Sequence, residues 1–239
     1  MKKEILIIKN NTNEGPGMLE NIAQEQKIKY TIIDLDKGQV IPSPENYDAI
    51  VVLGGPDSAN DNNEKMQREL VFIQEVIKLK KPYLGICLGL QTLVKAAGGQ
   101  VIKSPVKEVG FRDNEGNYFT VELTLEGVQD PLFDGLGKSL NVFQLHGETV
   151  ELSQNKVNMV LLAGGKFCKN QIVKVGSNAY GIQCHFELTP EMFELWINED
   201  SDLQKLNKEQ LRSDYKNMIE DYTKVGERLF LNFLKLSGI

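Results

Sequence analysis

The chain has 239 residues but only two histidines, His146 and His185. A His-rich metal site is therefore not expected. Cysteine is nearly as scarce, with Cys87, Cys168 and Cys184 alone. Three thiols without a C-x-x-C pair match neither a disulfide scaffold nor a zinc spacing. They read as reduced thiols in a cytoplasmic protein. Excess positive charge is also missing: Lys and Arg total 27 against 33 Asp and Glu, a net charge of −6. Nucleic-acid binding through a basic surface is excluded on that ground, because phosphate contacts need positive charge. No apolar run approaches the roughly 20 residues that cross a bilayer. The apolar run Ile5–Ile8 behind Met1-Lys2-Lys3-Glu4 is too short for a signal peptide. Hydrophobic residues make up 41% and charged residues 25%, which points to a globular protein rather than a disordered one.

The first hundred residues alternate strand and helix patterns. Strands are expected at Glu4–Lys9, Lys29–Leu35, Tyr47–Leu53 and Pro82–Cys87, and helices at Met18–Gln26, Glu64–Lys80 and Leu88–Ala97. The Glu64–Lys80 helix carries an apolar stripe of Met66, Leu70, Ile73, Val76 and Ile77. Such alternation predicts an α/β fold with a mostly parallel sheet covered by helices on both faces. From about Gln100 to Gly181 the pattern becomes short β-prone runs: Tyr118–Leu123, Val142–Leu145, Met159–Ala163, Ile172–Val175 and Tyr180–Cys184. These read as antiparallel or mixed additions to the same core, so one domain over residues 1–239 is expected. Pro190–Asn198 reads as a short helix. A long helical extension is expected over about 203–236, packed through Leu206, Leu211, Tyr215, Met218, Tyr222, Val225, Leu229 and Phe233.

Three segments carry chemistry. Gly85-Ile86-Cys87-Leu88-Gly89 has the form G-x-C-x-G, the cysteine counterpart of the nucleophile elbow. A sharp strand-to-helix turn exposes the nucleophile and leaves little room beside it, hence the flanking glycines. The helix N-terminus favours a thiolate, and the N–H of Leu88 can stabilise an oxyanion. The alternative is a small apolar cysteine in a tight turn. In Gly181-Ile182-Gln183-Cys184-His185-Phe186-Glu187, His185 and Glu187 share a face if the strand persists that far. A carboxylate there fixes the imidazole tautomer and stabilises its cation; the alternative is an ordinary surface histidine. Cys184 then faces the opposite side and packs. Finally, Gly54-Gly55-Pro56-Asp57-Ser58 follows a strand. It reads as a second oxyanion donor, as a plain glycine turn, or as a pyrophosphate loop with Leu53 in place of the serine. No phosphate-binding G-x-x-x-x-G-K-[ST] loop occurs.

In this order, the three segments resemble the class I (triad) glutamine amidotransferases, in particular stand-alone proteins similar to the glutaminase domain of GMP synthetase. Gly85–Gln91 resembles the family's G-x-C-x-G-x-Q elbow and Gly181–Glu187 its G-x-Q-x-H-x-E segment. Gly54-Gly55-Pro56 resembles its oxyanion turn, Val142–Val150 the stretch lining its glutamine pocket, and Pro190-Glu191-Met192 the stand-alone group. The resemblance implies a flavodoxin-like fold and cysteine-dependent hydrolysis of the glutamine γ-carboxamide. It implies Cys87 as nucleophile, His185 as general base and acid, and Glu187 as the orienting carboxylate. The N–H groups of Gly55 and Leu88 would form the oxyanion hole. Gly54, Gln91, His146, Gly147 and Glu148 would hold substrate, with His146 read mainly as a structural residue on the pocket wall. No metal or organic cofactor is implied.

One departure is Phe186, where many members carry proline; its side chain is expected to point away from the triad. No ATP-pyrophosphatase domain follows before Ile239, so the resemblance implies a separate ammonia-acceptor synthetase subunit. A lone glutaminase would waste glutamine, so low activity gated by that partner is expected. The same triad also suits a γ-glutamyl peptide or conjugate, and a non-catalytic regulatory module is the third reading. Neither nucleic acid nor a membrane is an expected partner.

Overall fold

The computed structural model describes residues 3–153 and 158–239. Two sheets organise them. The parallel strands are β1 (Glu4–Lys9), β2 (Lys29–Asp34), β3 (Ala49–Val52), β4 (Tyr83–Ile86) and β11 (Ala179–Ile182). Strands β5 (Gln100–Gly110), β6 (Thr120–Leu123), β7 (Ser139–Asn141), β8 (Gln144–Glu151), β9 (Met159–Gly165) and β10 (Ile172–Val175) come between β4 and β11 in sequence. The main sheet has nine strands in the order β2-β1-β3-β4-β11-β10-β9-β6-β7, antiparallel from β11 outward.

The parallel half reads as near-continuous apolar runs because both of its faces are covered. Along β1, Ile5 and Ile7 face one core while Leu6 and Ile8 face the other. Helices α1 (Met18–Glu25), α5 (Pro190–Glu199) and α6 (Lys208–Leu236) supply the first core; α2 (Glu64–Lys78) and α3 (Leu88–Ala96) supply the second. A short helix, α4 (Leu125–Gln129), follows β6.

Most of the expected added strands join this sheet. The exception is a separate antiparallel ribbon of β5 and β8. The apolar run Val142–Leu145 marks only the start of β8, which continues to Glu151. Strand β5 is masked in the sequence by Lys103-Ser104-Pro105-Val106-Lys107. Its ladder is interrupted between Lys103 and Glu108, and proline is tolerated where no ladder bond is needed.

The expected helix over 203–236 is in two parts. A 3₁₀ turn spans Leu203–Lys205, and Asn207 then caps α6 by accepting from the Gln210 N–H at 3.1 Å. Leu206 falls in the break and is exposed. The rest of the stripe packs on the sheet: Leu211, Tyr215, Met218, Tyr222, Leu229 and Phe233 are buried, and Val225 is partly buried against them. The α2 stripe also differs from expectation. Met66, Ile73 and Val76 are buried, whereas Leu70 and Ile77 are only partly covered and Glu69 is fully buried with them.

Candidate active site

Strand order brings the three motifs together. Strands β3, β4 and β11 are direct neighbours and run the same way. Val52 is in register with Gly85, and Ile182 with Ile86. The segments leaving their C-terminal ends therefore emerge side by side, at the edge where open α/β sheets place their ligands. These segments carry Gly54-Gly55, Cys87 and His185.

Cys87 sits between β4 and α3 with φ 51° and ψ −104°. A non-glycine residue held at positive φ costs on the order of 1–3 kcal/mol and points to a functional constraint. The neighbouring glycines make the turn possible. A Cβ on Gly89 would lie 2.2 Å from the Val52 carbonyl oxygen, and one on Gly85 would lie 2.2 Å from the Gly89 carbonyl oxygen. No side chain caps α3. Among the described residues the N–H groups of Leu88 and Gly55 have no backbone acceptor; Leu88 follows Cys87 in the chain, and Gly55 lines the same cleft as Cys87. Gln183 Nε2 donates to Cys87 Sγ at 3.6 Å, and Sγ lies 3.8 Å from the Leu145 carbonyl oxygen.

His185 and Glu187 share a face, although β11 ends at Ile182. A single antiparallel bridge from Phe143 to His185 keeps the chain extended. His185 Nδ1 lies 2.6 Å from Glu187 Oε1. The other Glu187 oxygen accepts from the Phe186 N–H at 2.9 Å. Burial disfavours the charged imidazole. The charge of Glu187 and hydrogen bonding to Cys87 and Glu187 outweigh it, holding the His185 pKa well above its ordinary value. Among the described residues, His185 Nε2 has no hydrogen-bond partner other than the Cys87 side chain. Cys184 is fully buried in the core, and Phe186 turns away to stack on Tyr222 with ring centres 6.3 Å apart.

A cleft of about 610 Å³ opens over Cys87 and His185. Gly55, Gln91, His146, Gly147 and Glu148 line it. Gly54 is buried, and Glu14 Oε2 occupies the space at its α-carbon. Gln91 donates to the Glu148 carbonyl and to Gln183 Oε1, both at 3.3 Å, which leaves its own oxygen for a ligand. The His146 ring is buried. Its Nδ1 lies 3.0 Å from the Glu148 carbonyl oxygen and its Nε2 lies 3.1 Å from Glu108 Oε2. His146 and Glu148 share the spacing of His185 and Glu187, but the Glu148 carboxylate turns to the Ser58 hydroxyl at 2.8 Å.

Several residues at the site carry no local sequence signal. Glu14 reaches the cleft from the loop after β1. Desolvation pushes its carboxyl up to about 7, partly offset by the nearby His185. Trp196 sets its ring edge-on to the His185 ring, with centres 5.1 Å apart. The Tyr222 hydroxyl on α6 donates to the His185 carbonyl oxygen at 3.0 Å. Lys107 and Asp202 pair at the cleft wall. Only the fold brings these residues to the cleft and the His185 segment behind it.

The family model for class I glutamine amidotransferases matches residues 13–201. A glutamine amidotransferase-like protein of Salmonella typhimurium is 31% identical over 207 residues, covering 82% of each chain. The GMP synthase of Thermosipho melanesiensis is 31% identical over 176 residues; the match covers 71% of this chain but 30% of that protein. A crystal structure of a glutamine amidotransferase from Thermotoga maritima superposes over 100% of both chains, with a TM-score of 0.85 and 25% identity. One from Methylobacillus flagellatus, at 22% identity and a TM-score of 0.85, shares the fold. No described helix is long and apolar enough to cross a membrane. Together the matched residues and the superposed fold place the chain in the class I glutamine amidotransferase family.

Proposed function

We propose that the chain is an enzyme that hydrolyses the γ-carboxamide of glutamine, with Cys87, His185 and Glu187 as its triad. The observation that carries this reading is the meeting of Cys87, the His185–Glu187 pair and the free N–H groups of Gly55 and Leu88 at one end of the sheet. The Cys87 thiolate attacks the carboxamide carbon while the two N–H groups hold the oxyanion. Loss of one such donor costs on the order of 10²–10³ in rate. His185 gives its proton to the departing nitrogen, ammonia leaves, and a γ-glutamyl thioester remains. Water, deprotonated by His185, attacks the thioester; glutamate leaves and Cys87 is regenerated. Glu187 holds the imidazole tautomer and stabilises its cation. The likeness to GMP synthases supports a separate synthetase as acceptor of the ammonia.

One observation favours a second reading. The cleft extends beyond Cys87 to Glu199, Asp200 and Asp202, leaving room past the amide for an amine larger than ammonia. A γ-glutamyl peptide or conjugate would use the same chemistry. The test is release of ammonia and glutamate from L-glutamine, run beside a γ-glutamyl dipeptide, with Cys87→Ala as control. Cys87-dependent turnover of glutamine is expected, at a low rate until the partner is present. Cleavage of the dipeptide alone would replace this reading with a peptidase. No turnover, together with no labelling of Cys87 by a glutamine-like electrophile, would leave a binding module.

A further inference from the structure

A second cysteine–histidine–glutamate cluster lies behind the cleft wall, outside the proposed triad. Glu108 on β5 and His146 on β8 are cross-strand partners. Cys168 comes from the turn between β9 and β10. All three are buried, and their ligand atoms lie within 4.8 Å of one another. We propose that Glu108, His146 and Cys168 form a zinc-binding site.

The geometry is that of side chains facing a shared point. His146 Nε2 and Glu108 Oε2 are 3.1 Å apart, yet Nε2 makes no hydrogen bond of ordinary geometry. The carboxylate oxygen therefore lies off the N–H direction, whereas a simple ion pair would be expected to align with it. Two ligands on a tetrahedral zinc, each about 2.0–2.2 Å from the ion, stand at a comparable separation.

Each ligand is also held from behind, as metal ligands are. His146 Nδ1 faces the Glu148 carbonyl oxygen at 3.0 Å, so Nδ1 carries the proton and Nε2 is free to coordinate. Gln171 Nε2 donates to Glu108 Oε2 at 3.3 Å, and the Thr149 hydroxyl lies 3.1 Å from Cys168 Sγ. Among the described residues Gln171 Oε1 is buried without a hydrogen-bond partner, and the fourth position on a tetrahedral zinc is left to water.

Charge and donor type select the ion. Among the described residues, Glu108 has no lysine or arginine ion pair; its salt-bridge partner is His146. A thiolate, a carboxylate and a neutral imidazole carry two negative charges, which one divalent cation neutralises. Mixed oxygen, nitrogen and sulfur donors suit zinc and not magnesium or calcium, which take oxygen ligands. On binding, Cys168 releases its thiol proton to solvent. The ion would brace the Gly147–Glu148 wall, since the Glu148 carbonyl accepts from both His146 and Gln91. It takes no part in the thioester chemistry, so the two proposals fail separately.

The test is titration of the chelator-treated, reduced full chain with Co²⁺ and then Zn²⁺. One Co²⁺ per chain is expected, with a thiolate-to-cobalt charge-transfer band and intense tetrahedral visible bands. One equivalent of Zn²⁺ should bleach them and raise the melting temperature. The signal should survive in Cys87→Ala and vanish in Cys168→Ser. Thr149→Val leaves the three ligands in place and should weaken Zn²⁺ binding about 10–100-fold, which provides a readout if Cys168→Ser does not fold. Absence of stoichiometric binding would overturn the site. So would a charge-transfer band that follows Cys87 instead of Cys168, or Zn²⁺ affinity unchanged by Thr149→Val.

Discussion

His185 Nδ1 meets Glu187 Oε1 at 2.6 Å, with both side chains almost wholly buried. Each depends on the other. An isolated buried carboxylate or imidazolium would be strongly disfavoured, whereas the pair is supported by the Phe186 N–H behind Glu187. Glu187→Gln should retain much of the packing but lose the charge. A fall in kcat on the order of 10²–10⁴ is expected, measured as ammonia release. The stability effect has a definite sign. The His185 pKa is raised on folding, so its contribution is fully present below the unfolded value and is lost as pH rises through the folded one. Denaturant unfolding should therefore show the Glu187→Gln deficit largest on the acid side. An equal deficit at all pH values would contradict the coupling.

Glu14 stands over Gly54 with its carboxyl raised to about 7 and interacts with His185. When ionised, it favours the protonated imidazole. Glu14→Gln removes that charge, so the limb of the kcat/KM profile governed by His185 should move to lower pH. Superimposable profiles for the two proteins would show that Glu14 does not influence His185.

Glu69 lies within the apolar face of α2, and burial raises its carboxyl to about 7. The folded protein then binds more protons than the unfolded chain between the ordinary glutamate value and that figure. Stability should fall as pH rises through this window. At one pKa unit per 1.36 kcal/mol, the loss is on the order of 3 kcal/mol. Glu69→Gln should be close to neutral near pH 5 and stabilising near pH 8, as read from denaturant midpoints. A difference independent of pH would refute this assignment.

Gly89 tests the elbow itself. A Cβ there would meet the Val52 carbonyl oxygen at 2.2 Å, a backbone atom that no rotamer change can move aside. Gly89→Ala should push α3 away from β3, costing about 1–3 kcal/mol of stability. Turnover should fall further than stability alone explains, because α3 carries the Leu88 N–H. Unchanged thermal unfolding would mean that the elbow tolerates the extra atom.

Much of the parallel half was legible because its signals are local. The apolar runs of β1, β3 and β4 and the elbow Gly85–Gly89 are contiguous in the chain. The β5–β8 ribbon was not legible, since Pro105 and the lysines around it hide a strand whose pairing is interrupted at that point. The helix break at Leu206 leaves no trace in the apolar spacing, which continues across it, whereas the Asn207 cap decides where α6 starts.

For the site, the sequence by itself determined the thiol on its turn, the glycine segment after β3 and the H-x-E spacing, because each depends on neighbouring residues. Tertiary structure decided that β11 lies beside β4, about a hundred residues earlier in the chain, and so that His185 faces Cys87. It also decided that Glu14 and Trp196 stand beside the imidazole, that Tyr222 holds the His185 backbone, and that Glu108, His146 and Cys168 converge. No spacing along the chain encodes those meetings. They follow from the burial of two apolar sheet faces, which fixes strand order and draws distant residues into contact.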